Sequence, residues 1–142
     1  MTSDSTIRFA VMDVMANYAL AADSKDYDTM RSLFFDDAKI EMEFDDAFLQ
    51  GQGVSFGDPD SFIEFVEETA AVYRSSQHLL GNPLVSVDEE HVRLRLNLTA
   101  TAFYENADSA ETRLYGFYEV ALRQVGDEWK IQTLKFTSIG SK

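Results

Sequence analysis

From Gln77 onward the apolar residues recur every second position, whereas just before it, over residues 62–73, they recur with the 3.6-residue period of a helix. Four alternating runs follow, over about residues 77–87, 91–104, 112–125 and 128–138. Asp88-Glu89-Glu90, Asn106-Ala107-Asp108-Ser109 and Gly126-Asp127 separate them as turns. Four long strands joined by short turns predict an antiparallel meander, and strands of that length must twist and can curl. In the second run Val92, Leu94, Leu96, Leu98, Ala100 and Ala102 share one face. Arg93, Arg95, Asn97, Thr99, Thr101 and Phe103 share the other. Neither face is strongly charged, so the sheet is expected to be covered by helices on one side and by another subunit on the other. A homodimer or homotrimer is the expected state.

The first half supplies what the sheet closes over. Ile7, Val11, Val14, Met15, Tyr18 and Ala22 make one helical stripe, predicting a helix over about residues 5–22. After the polar break 23–28, Asp26 or Asp28 can cap a short second helix reaching Leu33 or Phe34. Asp36-Asp37 reads as a turn, and residues 39–44 as a strand with Ile40, Met42 and Phe44 on one face. Gly51, Gly53 and Gly57 mark turns around a short return strand. Asp58-Pro59 opens a third helix, with Phe62, Phe65, Val66, Thr69 and Tyr73 on its apolar face to about Ser75. The expected fold is therefore α+β: a cone-shaped, curved antiparallel sheet wrapped around three N-terminal helices. Its 142 residues read as a single domain, 1–142.

Charge narrows the function. A net charge of −13 repels phosphate backbones and anionic membrane surfaces, so neither nucleic acid nor membrane is an expected partner. There is no run of apolar residues long enough to span a bilayer and no signal-peptide pattern, and the expected location is cytoplasmic. With no cysteine, thiolate chemistry and disulfides are excluded. The acidic pairs lie in turns without clustered histidines or a calcium-loop pattern, so no metal site is expected, and no phosphate-cradling glycine loop is present. No cofactor is expected. Eleven Phe, six Tyr and one Trp exceed the needs of a small core and suit an apolar pocket or an interface.

His78 then stands out, at the join between the third helix and the first long strand. Histidine is the side chain suited to proton transfer near neutrality. Asp23, where the first stripe ends, can accept a hydrogen bond from one ring nitrogen and fix the tautomer. Tyr18 or Tyr118 can donate to a carbonyl oxygen as negative charge builds there. Phe34, Phe35, Met42, Phe44, Phe65, Asn97, Thr99, Thr101 and Phe103 are the expected substrate-binding residues. Each catalytic candidate also has a plain structural reading: a hydrogen-bonded buried histidine, a capping aspartate, a core tyrosine. His91, beside three acidic residues, is expected to be exposed and idle.

At these residues the sequence resembles the SnoaL-like branch of the nuclear-transport-factor-2-like superfamily, in the pattern of scytalone dehydratase and bile acid 7α-dehydratase. Asp23-Ser24-Lys25-Asp26-Tyr27-Asp28 with Arg31 is similar to the segment holding the aspartate that orients a catalytic histidine. Arg74-Ser75-Ser76-Gln77-His78 is similar to the segment carrying that histidine, and Tyr18 matches a tyrosine of the bile acid enzyme. Gly116-Phe117-Tyr118, Trp129-Lys130-Ile131 and Leu134-Lys135 are similar to the last two strands. The resemblance implies a cystatin-like α+β barrel. It also implies a cofactor-independent dehydratase or isomerase using His–Asp acid–base chemistry on an apolar, cyclic, steroid- or polyketide-like oxygenated substrate. The chain departs from the pattern at Met42, where those dehydratases have a tyrosine, and over residues 97–103, where they carry a second histidine or an aspartate. A non-catalytic module holding an apolar ligand, and a structural subunit like the small subunit of ring-hydroxylating dioxygenases, are the alternatives.

Overall fold

The computed structural model describes residues 4–106 and 111–142. Helix α1 (Asp4–Asp23) buries Val11, Val14, Met15, Tyr18 and Ala22, which are the stripe that its spacing makes. Helix α2 (Tyr27–Ser32) starts where the Asp26 carboxylate accepts the Thr29 N–H at 3.2 Å. Helix α3 (Pro59–Ala70) starts where Asp58 accepts the Ser61 N–H at 2.8 Å, with Pro59 preset for the first turn.

Six strands form one sheet: β1 (Phe34–Glu43), β2 (Gly53–Phe56), β3 (Tyr73–Val87), β4 (Val92–Tyr104), β5 (Thr112–Val125) and β6 (Glu128–Ser141). Their order is β2-β1-β6-β5-β4-β3. The last four strands are the expected meander, and β1 and β2 the expected hairpin. β1 then runs parallel to β6, joining hairpin to meander, a pairing that local sequence does not encode. Bulges between Tyr73 and Ser75, Gly81 and Leu84, and Tyr115 and Gly116 bend the long strands. Asn82 takes a left-handed φ of 52° inside the second of these. The curved sheet holds α1 and α3 on its concave side. Val92, Leu94, Leu96 and Leu98 of β4 meet Val11, Met15, Phe34, Phe62, Leu122 and Ile131 in one core. No helix among the described residues is long and apolar enough to cross a membrane.

Three local expectations change. Asp36-Asp37 is not a turn: β1 continues through it. Arg31 donates to Asp36 at 2.8 Å and to Asp60 of α3 at 2.6 Å, and Gln132 of β6 donates to Asp37 at 3.3 Å. Partners from two other elements thus outweigh the turn propensity of the pair. Helix α3 ends at Ala70 rather than near Ser75. Lys25 donates to the Ala70 carbonyl at 3.1 Å and the Tyr73 carbonyl at 2.7 Å, and the Tyr73 ring packs on Tyr104 of β4 at 5.3 Å. His78 therefore lies within β3, not at a helix–strand join. Most of the turn expected over residues 106–109 lies outside the described residues.

Candidate active site

Strand β3 is an edge of the sheet, so its outward N–H groups have no strand to bind. Asp23, the last residue of α1, meets that edge. Its Oδ2 accepts the backbone N–H of His78 at 2.9 Å, and its Oδ1 accepts the Ser76 hydroxyl at 2.9 Å. The same Oδ1 lies 2.6 Å from Nδ1 of His78. Ser76 and His78 are two apart on a strand and share a face, so one carboxylate can serve both.

Burial works to raise the Asp23 carboxyl, but it is outweighed by hydrogen bonds from the ring and backbone of His78, the charge of that ring and the Ser76 hydroxyl. The carboxyl is held below the ordinary aspartate value. An ionised carboxylate can only accept, so Nδ1 carries the hydrogen it meets, and in the neutral ring Nε2 holds the free lone pair. Asp23 does not itself line the adjoining cavity, whereas His78 does.

That cavity has a volume of about 280 Å³ and an almost wholly apolar lining. Tyr18 of α1 and Tyr118 of β5 line it, with their rings edge to face at 5.7 Å. Burial pushes both phenols far above the ordinary tyrosine value; each hydroxyl is within hydrogen-bonding reach of the other, and Tyr118 also feels the Asp23 charge. Both are therefore neutral across the physiological range, and with one hydroxyl donating to the other the pair keeps one O–H free to donate.

Of the residues expected to bind substrate, Met42, Phe44, Phe65 and Thr101 line the cavity. Five do not, and each has a physical reason. Phe34 is sealed in the core between Tyr18 and Phe62, its ring 6.2 and 5.8 Å from theirs. Phe35 faces the other way, with the Arg123 guanidinium 4.6 Å above its ring. Asn97, Thr99 and Phe103 belong to the convex face of β4: Asn97 accepts from Arg95 at 3.1 Å, Thr99 pairs with Leu79 and Tyr115, and Arg74 covers Phe103 at 5.3 Å. The side of β4 that borders the cavity is mainly its apolar face, through Leu98, Ala100 and Ala102. His78 pairs with Ala100, so a small side chain stands beside the imidazole and leaves room for a ligand. His91, expected to be exposed, is half-buried in the β3–β4 turn, where its N–H meets Asp88 at 2.9 Å.

The sequence reading missed Ser76, Phe48, Tyr73, Leu114 and Phe136 as lining residues. Ser76 was findable from its two-residue spacing to His78. Phe48 was not, because its place depends on a loop latch: Asp45 accepts hydrogen bonds from the hydroxyls of Ser138 and, at 2.9 Å, Ser141, both on β6. The Phe48 ring then packs on Phe44 at 5.1 Å. Among the described residues no group of three or more His, Asp or Glu side chains gathers in a way that could hold a metal ion.

The SnoaL-like domain profile matches residues 3–135. The chain belongs to the SnoaL-like family. This SnoaL-like chain superposes on a candidate scytalone dehydratase from Novosphingobium aromaticivorans with a TM-score of 0.79 and 18% identity, covering 94% of this chain and 84% of that one. A candidate aromatic ring hydroxylase from the same organism gives a TM-score of 0.80 at 20% identity, covering 98% and 93%. Hexachlorocyclohexane dehydrochlorinase LinA-type3 from Novosphingobium barchaimii gives 0.78 at 13% identity, covering 97% and 90%. No curated protein matches the sequence significantly. At such identities the likeness speaks for architecture: the SnoaL-like chain has the nuclear-transport-factor-2-like, cystatin-like α+β fold.

Proposed function

We propose that this SnoaL-like chain is a small cofactor-independent dehydratase or isomerase that moves a proton beside a carbonyl group of an apolar, cyclic, oxygenated substrate. The observation that carries the reading is the 2.6 Å contact between Asp23 and His78 at the wall of an apolar cavity. His78 Nε2 takes a proton from the carbon next to the carbonyl, and that bonding pair moves into the new carbon–carbon double bond of an enol or enolate. The carbonyl oxygen gains the charge and accepts a hydrogen bond from Tyr18 or Tyr118. The imidazolium, supported by Asp23, then returns the proton. If it goes to a hydroxyl on the β-carbon, the carbonyl re-forms, the enolate pair makes the α–β double bond, the carbon–oxygen bond breaks and water leaves, a dehydration. If it goes to another carbon of the enol system, the reaction is an isomerisation.

The dehydratase and dehydrochlorinase among the structural neighbours support an elimination on this scaffold. The chain is further proposed to work in the cytoplasm as a homodimer or homotrimer. The support for assembly is the convex sheet face, which leaves Leu79, Leu84 and Ile139 about two-thirds exposed, at 66%, 67% and 71%.

A deuterium-exchange assay separates this enzyme from a passive binder. Wild type is expected to speed loss of the α-deuterons of 2-tetralone in water, followed by NMR. The double variant His78→Gln, Asp23→Asn is expected to keep most of its affinity for 2-naphthol, read by fluorescence, while its exchange falls to the buffer rate. Wild-type exchange no faster than buffer, with 2-naphthol still bound, would identify a binding module instead.

A further inference from the structure

We infer that the cavity accepts neutral molecules of one or two fused rings, with an oxygen on the buried edge, and rejects both four-ring skeletons and carboxylates. The inference rests on the proposed reaction for the placement of that oxygen, and on size and charge for the rest. Pockets for drug-sized ligands span roughly 300–1,000 Å³. At 280 Å³ this one falls just below that range. At crystal-like packing such a space holds on the order of ten to fifteen non-hydrogen atoms. A naphthalene-sized skeleton with one oxygen fits, and a four-ring skeleton exceeds it.

Charge sets the second limit. Among the described residues no lysine or arginine lines the cavity. Cations beside the lining residues are committed elsewhere: Lys25 to the carbonyls of Ala70 and Tyr73, Arg74 to the outer ring of Phe103, Arg113 to Glu111. The anion that is present, Asp23, sits directly behind His78. A ligand carboxylate would lose its water, find no lysine or arginine to pair with and face the like charge of Asp23 behind the ring. A neutral carbonyl or phenol meets none of these penalties, and Tyr18 and Tyr118 are there to bind its oxygen. Apart from Ser76, whose hydroxyl is given to Asp23, the remaining polar side chains, Thr69, Tyr73, Thr101 and Thr112, stand at the rim where α3 and β4 end and β3 and β5 begin. The ring system must therefore lie against Phe44, Leu98, Ala100, Leu114 and Phe136.

Titrating the full chain with 2-naphthol, 2-naphthoate and 17β-estradiol by calorimetry tests this directly. The expected result is one 2-naphthol per chain, lost in Ala100→Trp, which fills the space beside His78 without adding charge. Naphthoate and estradiol are expected to bind at least about tenfold more weakly than 2-naphthol. A smaller ratio for either ligand, or 2-naphthol binding that survives Ala100→Trp, overturns the inference. The 2-tetralone assay fails independently: ranking kept without exchange sinks the proposed reaction alone, and exchange with the ranking lost sinks this inference alone.

Discussion

His78→Ala should slow α-deuterium exchange of 2-tetralone by about 10²–10⁴-fold, the range that a positioned general base contributes. The fold should survive, because the imidazole is half-buried at a cavity wall rather than packed in the core. Circular dichroism and the urea midpoint of the variant should therefore stay close to wild type. Asp23 loses its ring partner in this variant but keeps the Ser76 hydroxyl and the residue 78 backbone N–H, so α1 remains docked on β3. A well-folded His78→Ala chain that exchanges 2-tetralone at the wild-type rate would remove His78 from the chemistry.

The second large effect concerns stability. Gly116 sits at the β5–β6 bulge, and a Cβ built there would lie 2.1 Å from the Thr137 carbonyl oxygen and 2.9 Å from the Phe136 ring. Neither neighbour can yield cheaply. The carbonyl is backbone in the adjacent strand, and Phe136 is buried in the core while also forming part of the cavity wall. Gly116→Ala should cost about 3 kcal/mol or more, at the upper end of overpacking penalties. Gly57→Ala is the control, since nothing lies within 4 Å of its added carbon. Urea unfolding of the two variants measures the contrast, and equal midpoints would show that β5 and β6 do not approach as described.

Much of this architecture could be read from residue order because local and global preferences agree. The stripe of α1, the Asp58-Pro59 start of α3 and the alternation of β3 to β6 each state their own element. The errors fall where distant partners decide. Asp36-Asp37 is turn-like by itself, and only Arg31 and Gln132 make it strand. Tyr73 fits both a helical stripe and an alternating run, and Lys25 and Tyr104 settle which. Pairing of β1 with β6 links residues about ninety positions apart and leaves no local trace.

The candidate site was legible in part. His78 and Asp23 stood out by chemistry, and the structure sets them in contact. On β4 the polar residues Asn97 and Thr99 lie away from the cavity and only Thr101 of that row reaches it, so polarity does not mark the cavity side. In an apolar cavity the better signal is small residues in an otherwise large apolar row, here Ala100 and Ala102 after Leu94, Leu96 and Leu98. Register then completes the picture by setting Ala100 opposite His78. That register depends on a bulge at residues 81–84, which no spacing rule anticipates.

At the centre of the account is an imidazole whose Nδ1–H is taken by Asp23, leaving Nε2 bare toward the cavity. Long-range ¹H–¹⁵N correlation spectra of the folded protein, recorded at a pH where the ring is neutral, read this state directly. The predicted result is a protonated, pyrrole-like Nδ1 and a pyridine-like Nε2, with the pattern disturbed in Asp23→Asn. A neutral ring carrying its hydrogen on Nε2, unchanged by Asp23→Asn, would contradict the account.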